Sequence, residues 1–247
     1  MLLTYIIIFS VLGSVGAIIV AGLFLTFPDK IQNKLIPFMV SYATGTLLGS
    51  AFLGLIPEAM ERLSPAKVSG TVLGGIILFF ILEKLVIWRH CHHDECIDDH
   101  HTSGGLILIG DAFHNFVDGV IISVAFITSI PLGIATAFSV ISHEIPQEVG
   151  DFVILLKNKY SRKKAFGLNI ISGLTAVVGA LLGYFFIGGM KSIIPYIMAL
   201  SASSFIYIAI GDLIPELHKH SKIKAGMIQL SLMLLGILTI FLLSHNH

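Results

Sequence analysis

Two ten-residue stretches place polar chemistry inside hydrocarbon: GDAFHNFVDG at 110–119 and SHEIPQEVGD at 142–151. Residues three, four and seven apart share one face of a helix. Asp111, His114, Asn115 and Asp118 therefore form one polar stripe, and His143, Glu144, Gln147 and Asp151 form another, with Glu148 at its margin. Imidazole and carboxylate together ligate divalent transition metals. Zn²⁺, Fe²⁺, Mn²⁺ and Cd²⁺ all suit such donors, and the amide oxygens of Asn and Gln can complete a shell. Neither stripe offers a thiolate of the kind that closes a structural zinc site.

The elements that carry these stripes belong in a membrane. Hydrophobic residues make up 55% of the 247, charged residues only 12%, and the mean hydropathy is +0.91; a soluble domain carries about 25% charge. Eight apolar stretches approach the ~20 residues that span a bilayer: 2–26, 36–60, 68–88, 104–128, 132–156, 165–189, 194–217 and 225–244. The expected fold is an all-α integral membrane protein of eight transmembrane helices, residues 1–247 forming one polytopic domain. The first stretch lacks basic residues ahead of it and exceeds a signal-peptide core, so it reads as a retained span.

Inside that solvent the acids become a physical problem. An ionised side chain at mid-bilayer costs on the order of 2.5–3.5 kcal/mol, so Asp111, Asp118, Glu144, Glu148 and Asp151 together cost roughly 12 kcal/mol if charged and facing lipid. They must turn inward, yet their two spans contain no Lys or Arg before Lys157. Protons or a bound cation must supply the positive charge. The two stripes lie about halfway along their spans, at matching depth, so facing each other they make a cage. Pro146 cannot donate to the carbonyl of Ser142, which should loosen the fifth span beside His143.

Basic residues set the orientation. Lys30, Lys34, Arg89, Lys157, Lys159, Arg162, Lys163, Lys164, Lys219, Lys222 and Lys224 cluster at alternate loops, whereas the other loops hold Arg62, Lys67 and Lys191. The positive-inside rule makes the first set cytoplasmic and both termini extracellular or periplasmic. Cys91 and Cys96 then lie in a cytoplasmic loop, where free thiols are expected. That loop, RHCHHDECIDDHH at 89–101 within a 89–103 segment, reads as a flexible chelating segment that collects or senses metal.

A second pattern concerns the path. LIPE recurs at 55–58 and 213–216, five spans apart and so running in opposite directions, which is the mark of an inverted repeat. On this topology Glu58 and Glu61 flank the outer mouth, and Asp212, Glu216, His218 and His220 flank the inner one. Asp111 and Asp151 lie on the cytoplasmic half between. Acidic mouths concentrate cations.

HNFVDG and HEIPQEVGDF resemble the fourth and fifth helices of the ZIP (Zrt/Irt-like) family of divalent-metal transporters, and the span count and His-rich loop extend the likeness over the whole chain. The resemblance implies a 3+2+3 bundle with a binuclear metal centre between helices four and five, and a possible homodimer. By position, His114, Asp118 and His143 match one site, and Asn115 and Glu144 match the second, joined by Asn169 in LNIISG of the sixth span. Gln147 stands where the family has a bridging Glu, or His in the subfamily reading HEIPHE. The reading is a cell-membrane transporter moving metal into the cytoplasm, with Zn²⁺ as leading substrate, no enzyme activity and no nucleic-acid partner. Two alternatives use the same groups: an intramembrane metal-dependent hydrolase, although Gln147 replaces the second His of HExxH, and a proton-driven carrier of an organic solute.

Overall fold

A computed structural model describes residues 1–88, 104–219 and 223–244; the loop at 89–103 and His220 lie outside them. Eight long helices carry nearly all of the described chain: α1 (Leu2–Phe24), α2 (Asp29–Met60), α3 (Pro65–Trp88), α4 (Gly104–Thr128), α5 (Ile130–Lys157), α6 (Arg162–Ile187), α7 (Ile194–His218) and α8 (Ile223–Ser244). No strand occurs among the described residues, so the chain is an all-α protein, as the apolar runs predict.

Seven of the helices are long and apolar enough to cross a bilayer; α5 is the remaining one. Its 28 residues suffice in length, but His143, Glu144, Gln147, Glu148 and Asp151 interrupt its apolar run. The same residues explain its position. Helix α5 packs against α1, α2, α4, α6 and α8, and this ring of neighbours keeps its polar stripe away from lipid. By contrast α3 and α8 expose most of their apolar surface, including Leu73, Phe80, Leu230 and Leu234, which suits the rim of a membrane bundle.

The turns follow local chemistry. Ser129 caps α5, its Oγ accepting from the backbone N–H of Leu132 at 3.3 Å, with Pro131 in the first turn where its missing donor costs nothing. Ser161 caps α6 by accepting from the N–H of Lys164 at 3.3 Å. Helix α5 continues without a break through Pro146.

Helix pairing obeys an exchange of α1–α2–α3 with α6–α7–α8 and of α4 with α5. The pair α4/α6 maps onto α5/α1, and α2/α8 maps onto α7/α3, all four being principal contacts. The LIPE segments fit the same exchange. Each follows a widened π-helical turn, Ser50–Leu55 in α2 and Ala209–Leu213 in α7, and each opens a five-residue helical segment, Ile56–Met60 or Ile214–His218, with proline at its start. A π turn relaxes the i→i−4 ladder that the proline ring would otherwise clash with.

Close helix approach rests on glycine. A Cβ on Gly119 of α4 would collide with the backbone carbonyl of Ala176 in α6, and one on Gly179 of α6 with that of Phe116 in α4. Gly45 of α2 meets Met233 of α8 in the same way. Small residues at such crossings let backbones touch where lipid supplies no hydrophobic drive. Gly119→Ala and Gly179→Ala should each destabilise the detergent-solubilised protein by ~1–3 kcal/mol through overpacking. Gly167→Ala, whose Cβ would meet nothing within 4 Å, should be neutral or slightly stabilising in the same thermal melts.

Candidate metal centre

Helix α4 presents His114 and Asp118 one turn apart, and α5 presents His143 and Glu144 in succession. Where the helices face each other these four side chains converge. His114 Nε2 lies 3.1 Å from Glu144 Oε1 and 3.2 Å from His143 Nε2, and His143 Nε2 lies 3.1 Å from Asp118 Oδ2. The remaining imidazole–carboxylate separations are 3.8 Å. A tetrahedral shell with metal–donor distances of ~2.0–2.2 Å has edges of ~3.3–3.6 Å. The observed edges bracket that range before any ion is placed. Asp118, His143 and Glu144 are at most 1% exposed.

The second nitrogen of His143 is also fixed: Nδ1 lies 2.9 Å from the carbonyl of Ser139. A carbonyl can only accept, so Nδ1 carries a proton, and in the neutral imidazole Nε2 is left to present its lone pair to the cluster. Metal-bound histidines are usually oriented by such an outer contact. Ser139 is itself held from α2, donating to the carbonyl of Thr46 at 2.9 Å and paired with Ser50 Oγ at 2.7 Å.

A second acidic group adjoins the first. One oxygen each of Asp111, Glu144 and Glu148 lie within 4.8 Å of one another, all three residues buried. Glu144 belongs to both groups. Both oxygens of Glu144, both of Glu148, both of Asp118 and Oδ2 of Asp111 lack a hydrogen-bond partner. Buried oxygens of this kind are ordinarily paired, and no Lys or Arg forms an ion pair with them among the described residues.

The other sequence-predicted residues fall around this pair of groups. Asn115 is buried, and its amide nitrogen donates to Asp111 Oδ1 at 2.8 Å, leaving its oxygen as the free end. Asn169 on α6 is wholly buried with neither side-chain atom hydrogen-bonded. Gln147 lines a cavity of about 860 Å³ beside Pro146. Asp151, Asp212 and Glu216 line the same cavity, which reaches His114 and Asp111 at its deep end. Glu58 does not border it and lies half-buried near the opposite end of α2.

Two vestibule residues escape a sequence reading. The carboxylate of Glu83 in α3 accepts from the hydroxyl of Tyr207 in α7, and both line the cavity. The Lys84 ammonium lies 5.8 Å over the Phe80 ring. An acid at the inner end of an apolar span, one helix turn from an aromatic stripe, is the available signal, but it names no partner. On the far side of the metal-ligating groups, towards the α4–α5 turn, Leu47, Leu55, Phe126, Val140, Met198 and Phe205 form a continuous buried apolar block.

Comparison with known proteins points the same way. The family described as ZIP Zinc transporter matches residues 89–244. Zinc transporter ZIP13 of Pongo abelii is 30% identical over 223 residues, covering 83% of this chain and 66% of that protein. The ZIP13 homolog of Drosophila melanogaster is 29% identical over 314 residues, covering 93% and 86%. Zinc transporter zipt-7.2 of Caenorhabditis elegans is 29% identical over 272 residues, covering 86% and 59%. The chain thus spans about three-fifths to two-thirds of the length of two of these relatives. Neither the family nor these relatives are described as enzymes, and the hydrolase alternative finds no support. Helices apolar enough to cross a bilayer, a buried His/Asp/Glu cage and the match over 89–244 lead to one assignment: this chain belongs to the ZIP zinc transporter family.

Proposed function

We propose that the chain transports a divalent transition-metal ion, Zn²⁺ first, across the membrane to the side of its basic loops, with all eight helices spanning the bilayer. The observation that carries this reading is the cage: two imidazole nitrogens and two carboxylate oxygens at tetrahedral spacing, three of the four residues buried, with no Lys or Arg ion-paired to them among the described residues. His114, Asp118, His143 and Glu144 are the first site. Glu144, Asp111 and Glu148, with the free oxygen of Asn115 and the amide of Asn169, are the second.

The packing is compatible with inward movement. The cavity joins the cage to Asp151, Asp212 and Glu216, on the side where the positive-inside rule places the basic loops. The apolar block lies on the other side. On this reading the conformation is an inward-open state, and uptake requires that block to part so that Glu58 and Glu61 can pass an ion to the cage. Alternating access of one helix group against another supplies that motion. Relatives named zinc transporters support Zn²⁺ as the substrate. Fe²⁺, Mn²⁺ and Cd²⁺ suit the same donors.

Isothermal titration of the purified chain with Zn²⁺ should show binding that His143→Ala or Glu144→Ala weakens by more than the ~10–100-fold typical of an outer-shell change. Gln147→Ala should weaken it far less, since an uncharged amide holds a divalent transition metal less strongly than imidazole or carboxylate. Equal effects of the three substitutions would refute the cage.

Thiol accessibility tests the direction. In proteoliposomes, with Cys91 and Cys96 replaced by Ser, Gly150→Cys in the cavity wall should react with an impermeant maleimide from the basic-loop side. Ala59→Cys, wholly buried beside the apolar block, should stay protected from the other side until Zn²⁺ is supplied. Labelling of both in metal-free protein would indicate a channel open end to end and sink the alternating mechanism.

A further inference from the structure

A second cavity, of about 510 Å³, lies at the basic-loop end of the bundle, away from the metal-ligating groups. Its walls are Ile19 and Leu23 of α1, Phe152 and Leu156 of α5, and Phe166 of α6. Arg162 and Lys163, the first two residues of α6, stand at its rim. We propose that this hollow is a binding site for an acidic glycerophospholipid of the basic-loop leaflet, its phosphate held by Arg162 and Lys163 and an acyl chain lying among the apolar walls. The proposal does not depend on the transport reading.

Three observations select that occupant. The first is the two-part chemistry. An interior of aliphatic and phenyl groups under a cationic rim fits a molecule with a hydrocarbon tail and an anionic head, and basic pockets between membrane helices are where such headgroups bind. The second is the state of the cations. Neither Arg162 nor Lys163 forms an ion pair among the described residues, whereas the neighbouring Lys164 ammonium is turned away, 5.0 Å over the Tyr160 ring. Positive charge in the first turn of a helix opposes the macrodipole, so local helix stability does not call for these two cations. The positive-inside rule accounts for basic residues in this loop, but not for two of them bordering an apolar hollow.

The third is the opposite rim, where Asp29 and Gln32 of α2 complete the lining. Gln32 spends its amide nitrogen on the carbonyls of Phe27 and Leu25, at 2.7 and 3.4 Å. Asp29, exposed and without an ion pair, remains as an acceptor for headgroup hydroxyls. The lining thus sums to two positive charges and one negative. That pattern favours a phosphatidylglycerol-type head, with one phosphate and free hydroxyls, over a zwitterionic head that brings its own ammonium to the cations. Location gives the site a consequence, because Val153 of α5 borders both this hollow and the large cavity below the cage. A bound lipid would stand directly behind the wall of the inner vestibule.

Native mass spectrometry of the full chain in non-ionic detergent, titrated with phosphatidylglycerol, phosphatidylethanolamine and phosphatidylcholine of equal chain length, tests the site. Two cations at a leaflet surface should favour phosphatidylglycerol by roughly 30-fold over the zwitterionic lipids. Arg162→Gln/Lys163→Gln should abolish that preference, Ile19→Trp should weaken binding of phosphatidylglycerol by filling the hollow, and Lys157→Gln/Lys159→Gln, in the same loop but outside the lining, should leave it unchanged. Equal binding of the three lipids overturns the proposal, as does an equal loss in the two double variants. Glycerol phosphate competing as well as phosphatidylglycerol would mark a free-phosphate site and overturn it too.

Discussion

Negative charge that cannot reach water and has no protein cation beside it is the constraint around which this bundle is arranged. Asp111, Asp118, Glu144 and Glu148 are each at most 4% exposed. Their oxygens lack hydrogen-bond partners, apart from Asp111 Oδ1 held by Asn115. Desolvated carboxylates are tolerated only when something compensates them. The compensation available within the fold is two imidazoles, and the lone pair that His143 presents through Nε2 adds acceptor character to the cluster. Acidic oxygens and imidazole nitrogens crowded together, with no Lys or Arg ion-paired to them among the described residues, suit a bound cation.

Holding that arrangement demands that α4 and α5 keep a fixed roll and separation, and the remaining helices provide it. Helix α4 is clamped by α6 at the Gly119 and Gly179 crossings, where backbone meets backbone. Helix α5 is fixed by hydrogen bonds from Ser139 to α2. The clamps come from the two halves related by the α1–α3/α6–α8 exchange. One half thus positions each ligand-bearing helix. Matching π turns before Pro57 and Pro215 place a deformable segment in α2 and α7, two helices that each contribute to both the apolar block and the vestibule.

Much of this was legible in the sequence, for a definite reason. Period and length disclose helices in a bilayer, and spacing discloses which residues share a face, so His114 with Asp118 and His143 with Glu144 could be read as a facing set. What spacing cannot give is the roll of one helix against another. Glu148 was accordingly placed at the margin of its stripe, whereas α5 turns it fully inward against Asp111. Gln147, expected near the second site on the strength of its family position, borders the vestibule together with His114 and Asp111. The Glu83–Tyr207 contact joins residues 124 apart and depends on α3 packing against α7, which no local pattern encodes. Asp212 and Glu216 are assigned to the inner mouth from topology, and they share a cavity with Asp151.

The two metal-ligating groups differ in a way that gives the proposed path a gradient. The first offers two nitrogens and two oxygens, a set that suits Zn²⁺; the second offers oxygens alone, which suit harder ions and hold Zn²⁺ less strongly. Glu144 belongs to both, so an ion passing from one to the other keeps one carboxylate while exchanging imidazole for Asp111 and Glu148. Asp111 of the second set and His114 of the first both border the vestibule, so each set has one ligand within reach of that cavity. On the inward reading, passage from the mixed nitrogen and oxygen set to the oxygen set lowers affinity along the direction of travel. A bridging carboxylate keeps the step short enough that no ion need be bare at any point.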